Sequence, residues 1–309
     1  MSAEPVPNRP PAPEKPDYEI VLVAYRSAEL VRGLLDALPG RAIAVVDNAH
    51  GVDGLEAVTA GRAGVRYLDG PGRGFASGAN VGARTSTRDV VVFVNPDSSP
   101  SVEQLDALVA DITADPGLGA VSATTVLPDG RVEIGVGGWE PTVRRALVHA
   151  VGAHKLFPTA GLWATPVPGQ PISLDWLSGA CMAVRRAAFV DLGGFDEQFF
   201  VYNEDVAFGR TLREAGLRQR VRTDLLVRHL GGGSGDPKTR MVQLRGASMV
   251  RYVRRHNTAA TVFGIRIALT AGYAPRWAAA ALRGRAALAA EHAAYVTGLW
   301  RGAPAGTST

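Results

Sequence analysis

The sequence predicts an α/β fold in which a mostly parallel central sheet is covered by helices on both faces, with a helical extension at the C-terminal end. Three observations predict it. Within residues 18–127, short unbroken apolar runs alternate with stretches of helical spacing, and a strand buried on both faces reads as such a run. The connections between these runs are short, as in a doubly covered sheet built from crossovers. From Arg240 onward the chain turns rich in Ala, Leu, Trp and Arg, a composition that favours helix.

The elements follow in order. Glu19 to Tyr25 reads as a buried strand, and Ala28 to Leu38 as a helix ended by Pro39-Gly40. Ala42 to Asp47 is a second strand, Val52 to Ala60 a helix and Val65 to Leu68 a third strand. Phe75 to Thr85 is a small-residue helix behind a Gly-rich turn, and Asp89 to Asn95 a fourth strand. Ser101 is placed to cap a helix running to Asp115, ahead of a fifth strand from Leu118 to Val126. Between Pro128 and Pro171 the pattern breaks down and reads as long loops. Order returns from Leu174 to Val184, followed by a helix near Arg186 to Leu192. A further helix over Val206 to Ala215, a strand over Arg218 to Val227 and a helix over Arg240 to His256 complete the body.

With 309 residues the chain is long enough to bury a full core. The expected organisation is a disordered Pro-rich leader over 1–17, a body over 18–257 split into halves at 127/128, and a basic helical extension over 258–309. Cys181 is the single cysteine and has apolar neighbours, which excludes an internal disulfide and points to a buried thiol in a reducing compartment. The leader carries six prolines between Pro5 and Pro16 and no apolar core, so it is expected to be neither signal peptide nor membrane span. The net charge of +4 is unevenly spread. From Arg240 onward there are ten arginines and one acid, Glu291, a net of +9 that leaves −5 for the rest. Such a basic, Ala/Leu/Trp-rich tail is expected either to lie on an anionic membrane surface or to pack as a solvated helical face on the body. It carries no nucleic-acid reading motif and the body is acidic, so no nucleic acid partner is expected. A homo-oligomer is left open.

Chemistry gathers at element ends, where α/β sheets place their sites. Tyr25-Arg26-Ser27, Asp47-Asn48, Gly72-Arg73-Gly74 and Asn95-Pro96-Asp97 each follow a strand. The first of them lacks the glycines of a dinucleotide fingerprint, which argues against a nicotinamide enzyme. In Tyr202-Asn203-Glu204-Asp205, Asn203 is expected to cap a helix whose N-terminus favours the two carboxylates, and a carboxylate held there can accept a proton. His229 ends another apolar run before Gly231-Gly232-Gly233.

The order and spacing of these pieces, from about Tyr18 to His256, resemble glycosyltransferase family 2, whose members have the Rossmann-like GT-A fold. Ala24-Tyr25-Arg26-Ser27 resembles the family's first nucleotide-contacting loop, with Arg26 where Asn is usual. Val45-Val46-Asp47-Asn48-Ala49, with Asp53-Gly54 nearby, resembles its second-strand motif, whose Asp contacts the base. Gly74 to Gly82 is similar to its G-F-A-x-G-N-N-x-G stretch, with Ala79 in place of the first Asn. The resemblance therefore assigns Ala24, Tyr25, Ser27, Asp47, Gly74, Phe75, Asn80 and Asn95 to the nucleotide sugar. Asn95-Pro96-Asp97 falls where the family has D-x-D and keeps only the last acid. Asp97 and His229 are thereby the implied ligands of a divalent metal, Mg²⁺ or Mn²⁺. Asp175 to Ala180 resembles the acceptor-side motif, which assigns Trp176, Ser178 and Gly179 to the acceptor together with Glu204. Asp205 matches the second acid of the family's E-D pair, the catalytic base.

The resemblance implies an inverting, metal-dependent transfer in which Asp205 deprotonates an acceptor hydroxyl as it attacks the anomeric carbon. The N-P-D, W-L-S-G and Y-x-E-D forms are closest to bacterial rhamnosyltransferases, which implies rhamnose from dTDP-rhamnose and a glycan, lipid-linked or cell-wall acceptor. A cytoplasmic enzyme, peripheral at the inner face of the membrane if the tail binds lipid, is the corresponding expectation. The alternatives are a nicotinamide-dependent oxidoreductase and a catalytically inactive transferase-like binding subunit.

Overall fold

The structure is a computed structural model that describes residues 17–231 and 237–304. Nearly all of the expected leader and the glycines Gly232 and Gly233 lie outside the described residues. In chain order the elements are β1 (Tyr18–Ala24), α1 (Ala28–Ala37), β2 (Ile43–Asp47), α2 (Leu55–Thr59), β3 (Val65–Asp69), α3 (Phe75–Thr85), β4 (Val90–Val94), β5 (Ser98–Ser99), α4 (Val102–Ala114) and β6 (Leu118–Val126). They continue with β7 (Gly137–Gly138), α5 (Val143–Ala150), β8 (Trp176–Leu177), β9 (Cys181–Arg185), α6 (Arg186–Asp191), α7 (Glu204–Glu214) and β10 (Arg218–His229). Three helices close the chain: α8 (Lys238–His256), α9 (Ala259–Leu282) and α10 (Ala286–Arg301).

The main sheet runs β3-β2-β1-β4-β9-β6-β10-β5. β3, β2, β1 and β4 are mutually parallel, as are β6 and β10, while β9 is antiparallel to both neighbours. Alternation along β1 sends Ile20, Leu22 and Ala24 to the core under α1, α2 and α4, and Val21 to the core under α3, α6 and α7. β1, β2, β4 and β6 are buried on both faces, the reason these runs do not alternate in sequence. Small residues let α3 lie close: a Cβ on Gly82 would stand 2.4 Å from Val21. Ser101 closes a capping box on α4, accepting from Gln104 N while Gln104 returns a bond to Ser101 N, a device that contributes about 1 kcal/mol.

The stretch read as loops over 128–171 holds β7 and α5, the latter capped by Thr142. The β7–β8 ladder is two residues long and α5 about two turns, too short for periodicity to register. α2 is likewise shorter than expected, because residues 48–54 form a turn held by Asp47. The C-terminal helices dock on the body. Tyr252, Val253, Ile265, Leu269, Tyr295 and Leu299 form one core with Ala146, Trp176, Phe199 and Val206. The α8–α10 crossing is close because Gly298 sits where a Cβ would stand 2.1 Å from Gln243 O. Among the described residues no helix is long and apolar enough to cross a membrane.

Candidate active site

The strand order reverses direction between β1 and β4, and the carboxyl ends of the strands around that switch point define the crevice where α/β proteins bind ligands. Ala24 ends β1 and is fully buried, with Tyr25 half-exposed beyond it. Arg26 stacks its guanidinium over the Tyr25 ring and has φ +50°, a left-handed conformation that Asn accepts more readily. Ser27 is buried and its hydroxyl has no partner, and the buried Oδ1 of half-buried Asp53 is also orphaned while Oδ2 accepts from Ala28 N at 2.8 Å. Unsatisfied buried oxygens beyond β1 and in the turn before α2 mark a place for a polar ligand.

Asp47 is fully buried and accepts from Ala49 N, Gly51 N and Tyr67 Oη, each at 2.8 Å. Its carboxylate therefore builds the turn after β2 and is not open to a base. Asn48 continues the brace: it donates to Gly74 O at 2.7 Å and accepts from Gly72 N. Gly74 has φ +93° and packs directly on Phe200, whose carbonyl accepts from Phe75 N at 2.9 Å. Asn80 is fully buried and spends its amide on Phe195 and Glu197. Its assignment to the nucleotide is corrected to an interior tie between α3 and residues 195–197.

On the other side of the switch point, Asn95 N and Ser98 Oγ both donate to Ala180 O. His229, at the end of β10, lies between two carboxylates: Nε2 is 3.1 Å from Asp97 Oδ1 and Nδ1 is 2.7 Å from Glu133 Oε2. Burial opposes the charge on this imidazole, but the hydrogen bonds and charges of Asp97 and Glu133 outweigh it and push its pKa up to about 10. Glu133 is held below its ordinary range by His229, against the opposing effect of burial, and it also accepts from Thr125 Oγ1 at 2.8 Å. Glu133 was invisible in the sequence because it lies in the stretch without periodicity.

The segment leading into α7 is strained. Tyr202 and Asn203 have φ +67° and +68°, and consecutive non-Gly residues in this region persist only where surrounding structure holds them. Asn203 stands at the N-cap position but makes no capping bond, and its Nδ2 has no partner. The expected cap is corrected accordingly: in the left-handed conformation the side chain is not presented to the helix. Asp205 caps itself instead, accepting from Val206 N at 2.8 Å. Burial pushes its pKa up to about 6, against the hydrogen bonds from Val206 and Gly179 N–H and the charge of Arg245. Glu204 is buried, with one oxygen unpartnered. Burial and the Asp205 charge raise its pKa well above the ordinary carboxylate value.

The loop 178–180 joins the two halves. Ala180 O anchors the Asn95–Ser98 turn and Gly179 N–H reaches Asp205, so Asp97 and Asp205 flank one short loop. Ser178 is half-buried within it and accepts from Ala180 N. Trp176 is corrected from an acceptor platform to a core residue: it is 5% exposed and packs with Phe199 and Val206. Arg245 of α8, which sequence reasoning missed, stacks over Tyr202 at 4.7 Å and acts electrostatically on both Glu133 and Asp205. Arg210 pairs with Glu140 and Glu214 on the outside of α7. Burial pushes the Cys181 thiol up to about 12, which leaves it inert at neutral pH.

A crevice at the switch point thus carries an acid–imidazole–acid chain on one wall and a raised carboxylate pair on the other. Residues 19–166 match the profile of glycosyl transferase family 2, and residues 156–302 match that of glycosyl transferase family 21. It is 31% identical over 176 residues to the N-acetylglucosaminyl-diphospho-decaprenol L-rhamnosyltransferase of Mycobacterium tuberculosis, over 55% of this chain and 56% of that enzyme. A pre-mycofactocin glycosyltransferase of the same organism is 29% identical over 72% of this chain and 44% of its own length. The match thus spans about half the length of these relatives. The fold is similar to that of a mannosyltransferase from Pyrobaculum calidifontis solved with GDP-Man and Mn²⁺, with a TM-score of 0.61 and 19% identity over 96% of this chain and 91% of that one. Glycosyltransferase profiles over both halves of the chain set aside the oxidoreductase alternative.

Proposed function

We propose that the chain transfers a sugar, rhamnose from dTDP-rhamnose, with inversion to a hydroxyl of a lipid-linked or cell-wall glycan at the cytoplasmic face of the membrane. The observation that carries this reading is the pairing of the Asp97–His229–Glu133 chain with the Glu204–Asp205 pair across the loop 178–180. The sugar and the acceptor class rest on the rhamnosyltransferase relative.

Asp97 Oδ1 and His229 Nε2 lie 3.1 Å apart, and once the imidazole gives up the proton that Asp97 and Glu133 hold on it they offer one oxygen and one nitrogen, a donor set that fits Mg²⁺ or Mn²⁺ when diphosphate and water supply the remaining ligands. Glu133 on Nδ1 completes the carboxylate–histidine arrangement that orients a metal-binding imidazole. A bound metal would supply charge stabilisation for the departing nucleoside diphosphate. The turns at Ser27 and Asp53 and the Gly72–Phe75 loop would receive the nucleoside and keep it out of water. Asp205, with its pKa near 6, is ionised at neutral pH yet basic enough to take the acceptor proton. Burial and the Asp205 charge favour the protonated form of Glu204, and in that form it can donate a hydrogen bond to the acceptor. Attack then displaces the diphosphate in one step and inverts the anomeric centre.

The reading is tested with a panel of nucleotide sugars plus Mn²⁺, scored by thermal shift and by slow donor hydrolysis without acceptor. Stabilisation and hydrolysis confined to thymidine diphosphate sugars are expected. Equal response to all bases, or none, would overturn the donor assignment.

A further inference from the structure

The three C-terminal helices enclose a pocket of about 350 Å³ on the side of the molecule formed by residues 198–200 and the end of α10. Four arginines line it: Arg251 and Arg254 from α8, Arg266 from α9 and Arg301 from α10. No acidic residue lines it, and Arg251, Arg254 and Arg301 form no ion pair among the described residues. Arg266 is committed to the fold, donating to Leu299 O and Trp300 O at the C-terminal end of α10. Burial lowers its pKa and the charge of nearby Arg254 lowers it further, so like charges are crowded here with nothing opposite. Glu197, the nearest acid in sequence to this wall, accepts from Asn80 and pairs with Arg73 and Arg84, and Asp196 is taken up by Arg255 and Gln198 N. Such clustering costs free energy in the empty pocket and is relieved by an anion.

The edge of the pocket is apolar. Trp300 lies under the Arg266 guanidinium at 4.3 Å and meets Phe263 edge-on, and Phe263, Ile267 and Trp300 are 58%, 45% and 40% exposed. Arginines in a recess with exposed aromatic and aliphatic side chains at its edge match an amphipathic ligand whose phosphate enters and whose chain stays outside. Phe200 forms part of the wall, and its carbonyl is bound by Phe75 N in the donor loop. The pocket is thus a neighbour of the transfer site and separate from it.

We propose that the Arg251–Arg254–Arg266–Arg301 pocket binds a phosphate carried on a lipid and seats the enzyme on the membrane surface at that point. The choice of a lipid-borne phosphate rests on the transferase reading; the anion site itself does not.

The test is vesicle flotation in the absence of divalent metal. The vesicles are phosphatidylcholine alone, phosphatidylcholine with phosphatidylglycerol, and phosphatidylcholine doped with undecaprenyl diphosphate. Binding to either phosphate-rich vesicle but not to phosphatidylcholine alone is expected; the glycerol lipid identifies the bulk headgroup as the source, the diphosphate lipid alone the acceptor. R251Q/R254Q should weaken binding about 30-fold, the effect of two arginines at an anionic surface. R251K/R254K should largely restore it. R283Q/R285Q, which removes equal charge at the opposite end of α10, should retain it. Native protein gives an independent reading, since pyrophosphate should displace it from vesicles more strongly than chloride of equal ionic strength. Absence of binding, equal loss in the two glutamine pairs, or no preference for pyrophosphate would overturn the proposal. Donor hydrolysis by the native chain is followed alongside, so that failure of the pocket and failure of the transferase reading are separated.

Discussion

Gly74→Ala probes the joint between the two walls of the site. Gly74 has φ +93° and ψ −177°, a region essentially restricted to glycine, which costs another residue about 1–3 kcal/mol. A Cβ there would stand 1.9 Å from Phe200 O, so one backbone must withdraw from the other. Withdrawal breaks the Phe75 N to Phe200 O hydrogen bond, a further loss of about 0.5–1.5 kcal/mol. The expected cost is about 2–4 kcal/mol, or roughly 4–8 °C in Tm for a domain of this size. Turnover should fall with it, because residues 200–203 lead directly into Glu204 and Asp205. Gly130→Ala is the control: φ is +81° but nothing lies within 4 Å of the added Cβ, so about 1–2 kcal/mol is expected. Paired melting curves and rates check this, and a Gly74→Ala enzyme no less stable than Gly130→Ala would refute the contact argument.

Three further predictions concern ionisation and packing. Because the folded pKa of Asp205 lies above its unfolded value, its stabilising influence is complete at low pH and is lost as pH rises from about 4 through about 6. kcat/KM should rise over the upper part of that window as the base ionises, and Asp205→Asn should remove that part of the stability slope in melting curves taken across pH. Glu133→Gln should weaken Mn²⁺ binding in the presence of nucleoside diphosphate about 10–100-fold by calorimetry, the usual effect of losing the partner that orients a metal-binding histidine. Gly298→Ala should destabilise by about 1–3 kcal/mol in chemical denaturation, since α10 must move away from α8.

The first half of the fold was legible because β1, β2, β4 and β6 are buried on both faces and each turn announces itself with Gly, Pro or an acid. Residues 75–85 and 118–126 match their expected bounds for that reason. Beyond Val126 the elements shorten and their contacts become long-range. β7 and β8 are two residues each and are held by the pairs Gly137–Leu177 and Gly138–Trp176, a long-range pairing that no local pattern records. The antiparallel insertion of β9 between β4 and β6 was equally unreadable, since its run Cys181 to Arg185 is apolar like any parallel strand. In the site, residue type located the carboxylates but not what they do. Asp47 and Asn80 sit in the stretches that the family resemblance marked, yet both are buried and engaged in holding turns. Asn203 has the right side chain for a cap and the wrong backbone for one. Arg245 reaches the site only because α8 folds back across it.

The central claim is that Asp205 takes the acceptor proton in a site whose donor half is built elsewhere. Asp205→Asn, assayed with Mn²⁺, dTDP-rhamnose and a lipid-linked acceptor, should bind the donor as the native enzyme does and lose about 10²–10⁴-fold in kcat. Normal turnover with that acceptor, or a parallel loss of donor binding, would contradict it.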